Sequence, residues 1–150
     1  MDAVTYPNIT VINYINNNLN PLRIHHEEQP YADQFMVKWT PSLFLLDSSG
    51  RSHHQAIGFF PPDELVPFLQ LGQAKQAFNN DSLDEAAEII DNLLIESSGS
   101  GSAPEAVFLR GVSRFKKNHD KSFLKDVYRI LKFDYPNSSW AQRGFPYWNL

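Results

Sequence analysis

Hydrophobic positions in the first 40 residues change from helical spacing to alternation. Four apolar side chains after the helix-capping residue Asn8 fit one face of a helix (Ile9, Val11, Ile12 and Ile15). The asparagines between positions 16 and 20 are expected to end this helix, because short polar side chains compete for backbone hydrogen bonds. Residues 21–26 (PLRIHH) alternate and predict a strand, followed by a short helix or turn over 27–36.

A continuous apolar run follows at residues 42–46 (SLFLL), which is typical of a strand buried on both faces. The turn cluster at residues 47–50 then ends in Gly50, which is free to adopt a positive φ. A weaker strand is expected over 51–57. The two runs together predict a β-hairpin.

The second half of the chain has helical patterns throughout. Pro61 and Pro62 open a helix that we expect to reach Phe78, and helices follow over 81–95, 103–117 and 120–134. Pro136 stops the last of these, and a short final helix is expected to run through Trp140. Residues 97–102 (SSGSGS) have the composition of a flexible linker.

A weak internal repeat runs through this helical half at an offset of nearly 40 residues. Phe78 and Asp81 precede one amphipathic helix much as Phe115 and Asp120 precede another. That period is typical of helix-turn-helix repeat arrays, and the pattern is similar to the tetratricopeptide repeat.

Composition narrows the range of functions. The chain has 150 residues, 42% of them hydrophobic, which is enough for the core of one ordinary domain or two small ones. The net charge of −4 gives no basic excess for a nucleic-acid partner. No signal peptide and no membrane-spanning apolar stretch are visible, so we expect a cytoplasmic protein without a membrane partner. Because there is no cysteine, this chain has no thiol chemistry and no thiolate metal site.

Residues 37–65 carry a resemblance to the C-terminal part of a thioredoxin-like domain. The order is Thr40-Pro41, a buried strand, Asp47-x-x-Gly50, a second strand, and Gly58 before a helix. The resemblance covers roughly residues 1–70 and implies that the Thr40–Pro41 bond is cis. The whole layout is also similar to bacterial thioredoxin-like proteins with a helical extension.

The sequence departs from that family where the family carries its chemistry. Residues 1–6 look like the continuation of the helix that follows the family's Cys-x-x-Cys, so the motif and the central strand before it are expected to lie upstream of this chain. The strands predicted at 21–26 and 42–46 would then flank an absent strand. Exposed strand edges recruit other strands, so the two strands could pair directly, form a homodimer, or bind a partner peptide.

Histidine pairs are the candidates for a metal site, at His25-His26 and His53-His54. Neighbouring strand residues point to opposite faces, so only one member of each pair could bind a metal. We therefore interpret both pairs as polar strand ends exposed to water, and expect no metal and no cofactor. No nucleophile elbow or phosphate-binding loop is present in the sequence.

Two aromatic groups are candidate contacts for a protein partner. The first is a peptide-binding edge formed by residues beside Pro41 (Trp39, Thr40, Pro41, Phe59 and Phe60). The second lies near the C-terminus (Trp140, Arg143, Tyr147 and Trp148), where Trp, Tyr and Arg are typical of interface hot spots. Each group has a structural alternative. Phe59 and Phe60 could instead pack at the start of the helix after Gly58, and the C-terminal group could cap the helical repeats.

These patterns predict an α/β fold followed by an all-α part. A partial thioredoxin-like unit is expected over residues 1–68 and a helical tetratricopeptide-like unit over 69–150. The favoured function is a redox-inactive protein-interaction module. The alternatives are a truncated thiol-disulfide oxidoreductase acting in cell redox homeostasis, with its cysteines upstream, and a His-based metal hydrolase.

Overall fold

The chain folds as α/β followed by all-α, as the sequence predicts. The computed structural model describes residues 1–150, apart from the side chain of Ala32. The elements in chain order are α1 (Ile9–Asn18), α2 (Tyr31–Gln34), β1 (Ser42–Leu46), β2 (Ser52–Ile57), α3 (Pro62–Asn79), α4 (Leu83–Ser97), α5 (Ala103–Asn118), α6 (Ser122–Asp134), α7 (Ser139–Gly144) and a C-terminal 3₁₀ helix (Phe145–Asn149).

Helix α1 begins where the sequence predicts, at Asn8. The Asn8 carboxamide oxygen accepts hydrogen bonds from the backbone N–H groups of Thr10 and Val11, which the first helical turn leaves without partners. The helix ends within the asparagines, at Asn18, as expected. The Asn18 side chain donates to the carbonyl of Tyr14 in this last turn, at 2.8 Å.

The hairpin forms as predicted, with β1 antiparallel to β2 and Ser42 opposite Ile57. Its turn is held by the Asp47 carboxylate, which accepts from the backbone N–H groups of Ser49 and Arg51, and Gly50 has a φ of 83°. The expectation of burial on both faces is wrong. Leu45 is 5% exposed, on the face toward α3, whereas Leu46 is 38% exposed. On the other face Phe44 has an aromatic partner, the ring of Phe35 at 4.9 Å between centroids.

Residues 21–26 form no strand, which corrects the sequence prediction. Leu22, which the alternating pattern places on a buried face, is 80% exposed. A strand needs a neighbouring strand for its backbone hydrogen bonds, and none lies beside this segment in the described part of the chain. The predicted gap between two strands is therefore absent, although β1 itself keeps an open edge.

Helix α3 belongs to both halves of the molecule. Its first turns contribute Leu65 and Phe68 to a core with Val11 of α1. Its later turns contribute Leu71 and Ala74 to a second core with helices α4 and α5. One helix therefore carries two adjoining hydrophobic cores.

The segment expected as a flexible linker, residues 97–102, is packed against the body. Ser100 and Ser102 are buried, and the backbone N–H of Gly101 donates to the Glu64 carboxylate at 2.9 Å. Serine and glycine serve here because their small side chains let the chain turn tightly between α4 and α5. Composition alone does not distinguish such a turn from a linker.

Helices α5 and α6 approach each other closely at Gly111, whose missing side chain makes room for Val127. The last elements cover the far side of this pair. Ser138 caps α7 by accepting from the backbone N–H of Ala141, as its position after Pro136 predicts. The short final helix continues past Trp140 to Gly144 and then into the 3₁₀ helix.

Candidate functional site

The candidate site lies at the end of the hairpin and consists of Trp39, Thr40, Pro41, Phe59 and Phe60; we call it the hairpin-end surface. The backbone N–H of Gly58 donates to the carbonyl of Pro41 at 2.8 Å, which extends the strand pairing by one residue. This bond holds the segment before β1 beside the segment after β2. The Thr40–Pro41 peptide bond is cis, as is Gln29–Pro30.

The aromatic residues of this surface divide into an outward and an inward set. Trp39 is 70% exposed and Phe59 is 59% exposed. Phe60 is partly buried, with its ring centroid 4.7 Å from that of Phe68. The Thr5 hydroxyl donates to the Phe60 carbonyl at 2.5 Å, so the chain is anchored just beyond the exposed ring of Phe59.

Two exposed hydrophobic residues near this surface were missed in the sequence analysis. Ile57 faces away from α3 at the end of β2, and Met36 is exposed shortly before β1. Alternation along β2 places Ile57 on one face of the strand and His54 and Ala56 on the other. The sequence does not show which of these two faces α3 covers. Met36 carries no sequence signal of this kind.

His53 and His54 are not exposed strand ends, which corrects the prediction. A register irregularity beside Leu46 lets the fully buried His53 ring lie between two partners. Its Nε2 is 2.9 Å from Oδ2 of Asp47, and its Nδ1 is 2.9 Å from Nδ2 of Asn79. Hydrogen bonds from the Ser49 hydroxyl and then from His53 hold the pKa of Asp47 well below its usual range. This network joins the turn to α3.

His54 also packs toward α3, stacked on Phe68 with ring centroids 4.3 Å apart. Its Nδ1 is 3.0 Å from Nζ of Lys75, which also contacts the Glu105 carboxylate. Burial first, and the Lys75 charge second, lower the pKa of His54 to about 4. Within the described residues, no group of three or more His, Asp or Glu side chains is placed to hold a metal ion.

The C-terminal aromatic residues lie mostly against the helices. Trp140 and Tyr147 pack on Phe108, with ring centroids 5.0 and 5.7 Å away. The Arg143 guanidinium lies 4.3 Å from the centre of the Trp140 ring. Trp148 is the exposed aromatic residue of this group, and Arg143 is exposed as well. The arrangement matches a cap on the helical part more closely than a binding surface.

A groove of about 390 Å³ runs between α4 and α5. Four of its charged side chains form ion pairs: Arg114 contacts Asp91 at 2.7 Å, and Lys117 contacts Asp84 at 2.6 Å. Glu88 also lines the groove. These two pairs therefore occupy most of the charged groups that line the groove.

Comparison with models of protein families, with curated proteins and with solved structures gives no match to this chain. In the described part of the chain, no helix is both long and apolar enough to cross a membrane.

Proposed function

We propose that this chain is a redox-inactive protein-interaction module that binds a protein or peptide segment at the hairpin-end surface. The observation that carries the proposal is the exposure of Trp39 and Phe59 on two segments joined by the Gly58–Pro41 hydrogen bond. Exposed hydrophobic groups clustered on a surface mark interaction sites. Trp is also among the residues that dominate interface energies.

The energetics favour an anchored contact. Fully burying a side chain such as Phe59 contributes about 1.5–3 kcal/mol. Little ordering cost opposes this gain at Phe59, because the neighbouring Phe60 is already fixed by Thr5 and Phe68. Two aromatic anchors on a preorganised backbone suit an extended segment that passes over the end of the hairpin.

The finer description of the fold is part of the same proposal. We infer a partial thioredoxin-like unit followed by tetratricopeptide-like helices. The order of helix, Thr-Pro, antiparallel hairpin, glycine and long helix supports the first part. The contacts of α4 with α5, and of α5 with α6, support the second. The chain contains no thiol, so the proposed activity is binding rather than disulfide exchange.

The test selects peptides from a random display library on the wild-type protein and measures their affinity by calorimetry. The test variant is Trp39→Ser combined with Phe59→Ser. The control variant is Phe133→Ser combined with Phe145→Ser, which removes two similarly exposed aromatic rings from the helical end. We expect the test variant to lose affinity at least about tenfold, since about 1.4 kcal/mol corresponds to a factor of ten.

The control variant should keep the wild-type affinity. Selected peptides that bind the test variant as tightly as wild type would overturn the proposal. So would a selection that yields no peptide with measurable affinity for the wild-type protein.

A further inference from the structure

The pairing of β1 with β2 determines which backbone groups of β1 remain free. Hydrogen bonds from Gly58 N–H to the Pro41 carbonyl, and from Asp47 N–H to the Arg51 carbonyl, mark both ends of the ladder. Bonded positions alternate along an antiparallel strand. Pro41, Leu43, Leu45 and Asp47 therefore face β2. The N–H and C=O groups of Ser42, Phe44 and Leu46 point to the opposite side.

That opposite side is an open sheet edge. The sheet has two strands, ordered β1-β2, and no described hydrogen bond from another segment uses the backbone of Ser42, Phe44 or Leu46. Among the described helices, only α3 packs against β1, on the face that carries Leu45. Unpaired strand edges of this kind are templates for a further strand.

Strand β1 also lacks the features that usually protect an edge. Its five residues, SLFLL, contain no charge and no proline. The side chains of Phe44 and Leu46 lie on the face away from α3, as does the exposed Ile57 opposite Ser42. The ring of Phe35 packs on Phe44, with centroids 4.9 Å apart, whereas Leu46 is exposed. The edge is therefore both hydrogen-bonding and apolar.

We propose that the edge of β1 pairs antiparallel with the same edge of a second copy, about a two-fold axis at Phe44. In this register Phe44 faces its own counterpart, and Ser42 faces Leu46 of the other copy. Each of the three residues then exchanges its N–H and C=O with its counterpart. An antiparallel edge is self-complementary, so the contact closes as a dimer. The β1 edge is then paired in both copies.

Charge favours a second copy as the occupant. The charged residue nearest the strand is Asp47, and the antiparallel register places the two Asp47 carboxylates at opposite ends of the interface. Six residues separate the partners along the strand, so the carboxylates are about 20 Å apart. No like charges meet, and the two Phe44 rings form an aromatic cross-strand pair. This site uses the edge of β1, whereas the proposed peptide contact uses the exposed rings of Trp39 and Phe59 at the end of the hairpin.

The experiment measures molar mass by light scattering over a range of protein concentrations. Wild type should reach twice the 17.2 kDa chain mass. Phe44→Lys and Phe44→Glu should each remain monomeric, because like charges then face each other across the axis. An equimolar mixture of the two variants should recover the dimer. Ile57→Lys, on the same face but away from the axis, should dimerise like wild type.

A second measurement uses wild type alone and does not depend on the folding of a variant. Amide hydrogen exchange at Phe44 should slow as concentration rises, whereas exchange at Leu43 should be slow throughout because its N–H already bonds to β2. A monomeric wild type at all concentrations would overturn the proposal. A dimer that persists in Phe44→Lys would also overturn it, since another surface would then hold the copies together.

Discussion

His54 shows how one residue makes the stability of this fold depend on pH. Its pKa is lowered to about 4 by burial against Phe68 and then by the charge of Lys75, whereas an unfolded histidine has a pKa of about 6.5. Between these values the unfolded chain binds the proton and the folded chain does not. Stability is therefore full above about pH 6.5 and falls as the pH drops toward 4, by at most about 3 kcal/mol.

Urea unfolding at pH 7 and at pH 4.5 checks this expectation. Wild type should lose roughly 2–3 kcal/mol more than the His54→Gln variant on acidification, because the carboxylates titrate in both proteins and cancel in the difference. His25→Gln is the matched control, since His25 is exposed, and it should behave like wild type. Equal pH dependence in wild type and His54→Gln would contradict the burial of His54.

Leu45 and Leu46 are neighbours on one strand but differ in their expected contribution to stability. Leu45 is buried against Gly72 of α3, whereas Leu46 lies on the face away from α3. Truncation of Leu45 to Ala should cost about 2–5 kcal/mol, and truncation of Leu46 considerably less. Chemical unfolding of both variants measures the difference. A loss of stability under about 0.5 kcal/mol for Leu45→Ala would contradict the burial of Leu45 against α3.

At the scale of the elements, the contact between α5 and α6 depends on Gly111. A Cβ atom added there would lie 1.9 Å from Cγ2 of Val127 and 3.1 Å from the Phe123 carbonyl. The two helices must move apart to accept it. Gly111→Ala should therefore destabilise the protein by about 1–3 kcal/mol or more, despite the higher helix propensity of alanine.

Thermal and urea unfolding test this contact, with Gly99→Ala as the control because a Cβ there meets nothing within 4 Å. Adding Val127→Ala to Gly111→Ala removes the clashing methyl groups. The double variant should therefore be destabilised by less than the sum of the two single changes. Simple additivity would show that the clash does not limit the approach of α5 and α6.

Elements with strong local signals were predictable from the sequence, and those set by tertiary contacts were not. Asn8, the turn ending in Gly50 and the helical periodicity of residues 83–97 each act locally, so their elements form as predicted. Residues 21–26 alternate like a strand but have no partner strand. Residues 97–102 resemble a linker, yet the Glu64 carboxylate from a distant helix holds them.

The same distinction applies to the candidate site. The sequence identified Trp39 and Phe59 as candidate contacts from their place beside Pro41, and both are exposed. The sequence could not show that Phe60 is less exposed than these two residues, because Phe60 packs on Phe68, which lies in α3. His53 was misplaced for a related reason: its burial depends on a register irregularity and on Asn79, 26 residues away.

For the whole molecule, α3 is the helix that the hairpin part and the helical part share. Leu65 and Phe68 pack in the core shared with α1, and Leu71 and Ala74 pack in the core shared with α4 and α5. Neither core can lose this helix and remain intact. The sequence division at residues 68 and 69 falls inside α3, between the residues of the two cores.

We therefore expect one unfolding transition for the whole chain. Amide signals of Ala56 in the hairpin and Ala106 in α5, followed by NMR during urea titration, should disappear with the same midpoint. The mechanism can be probed with Leu71→Ala, which creates a cavity in the helical core alone. If α3 couples the cores, this change lowers the midpoint for Ala56 as much as for Ala106. A lower midpoint for Ala106 alone would show that the hairpin part folds independently of the helices.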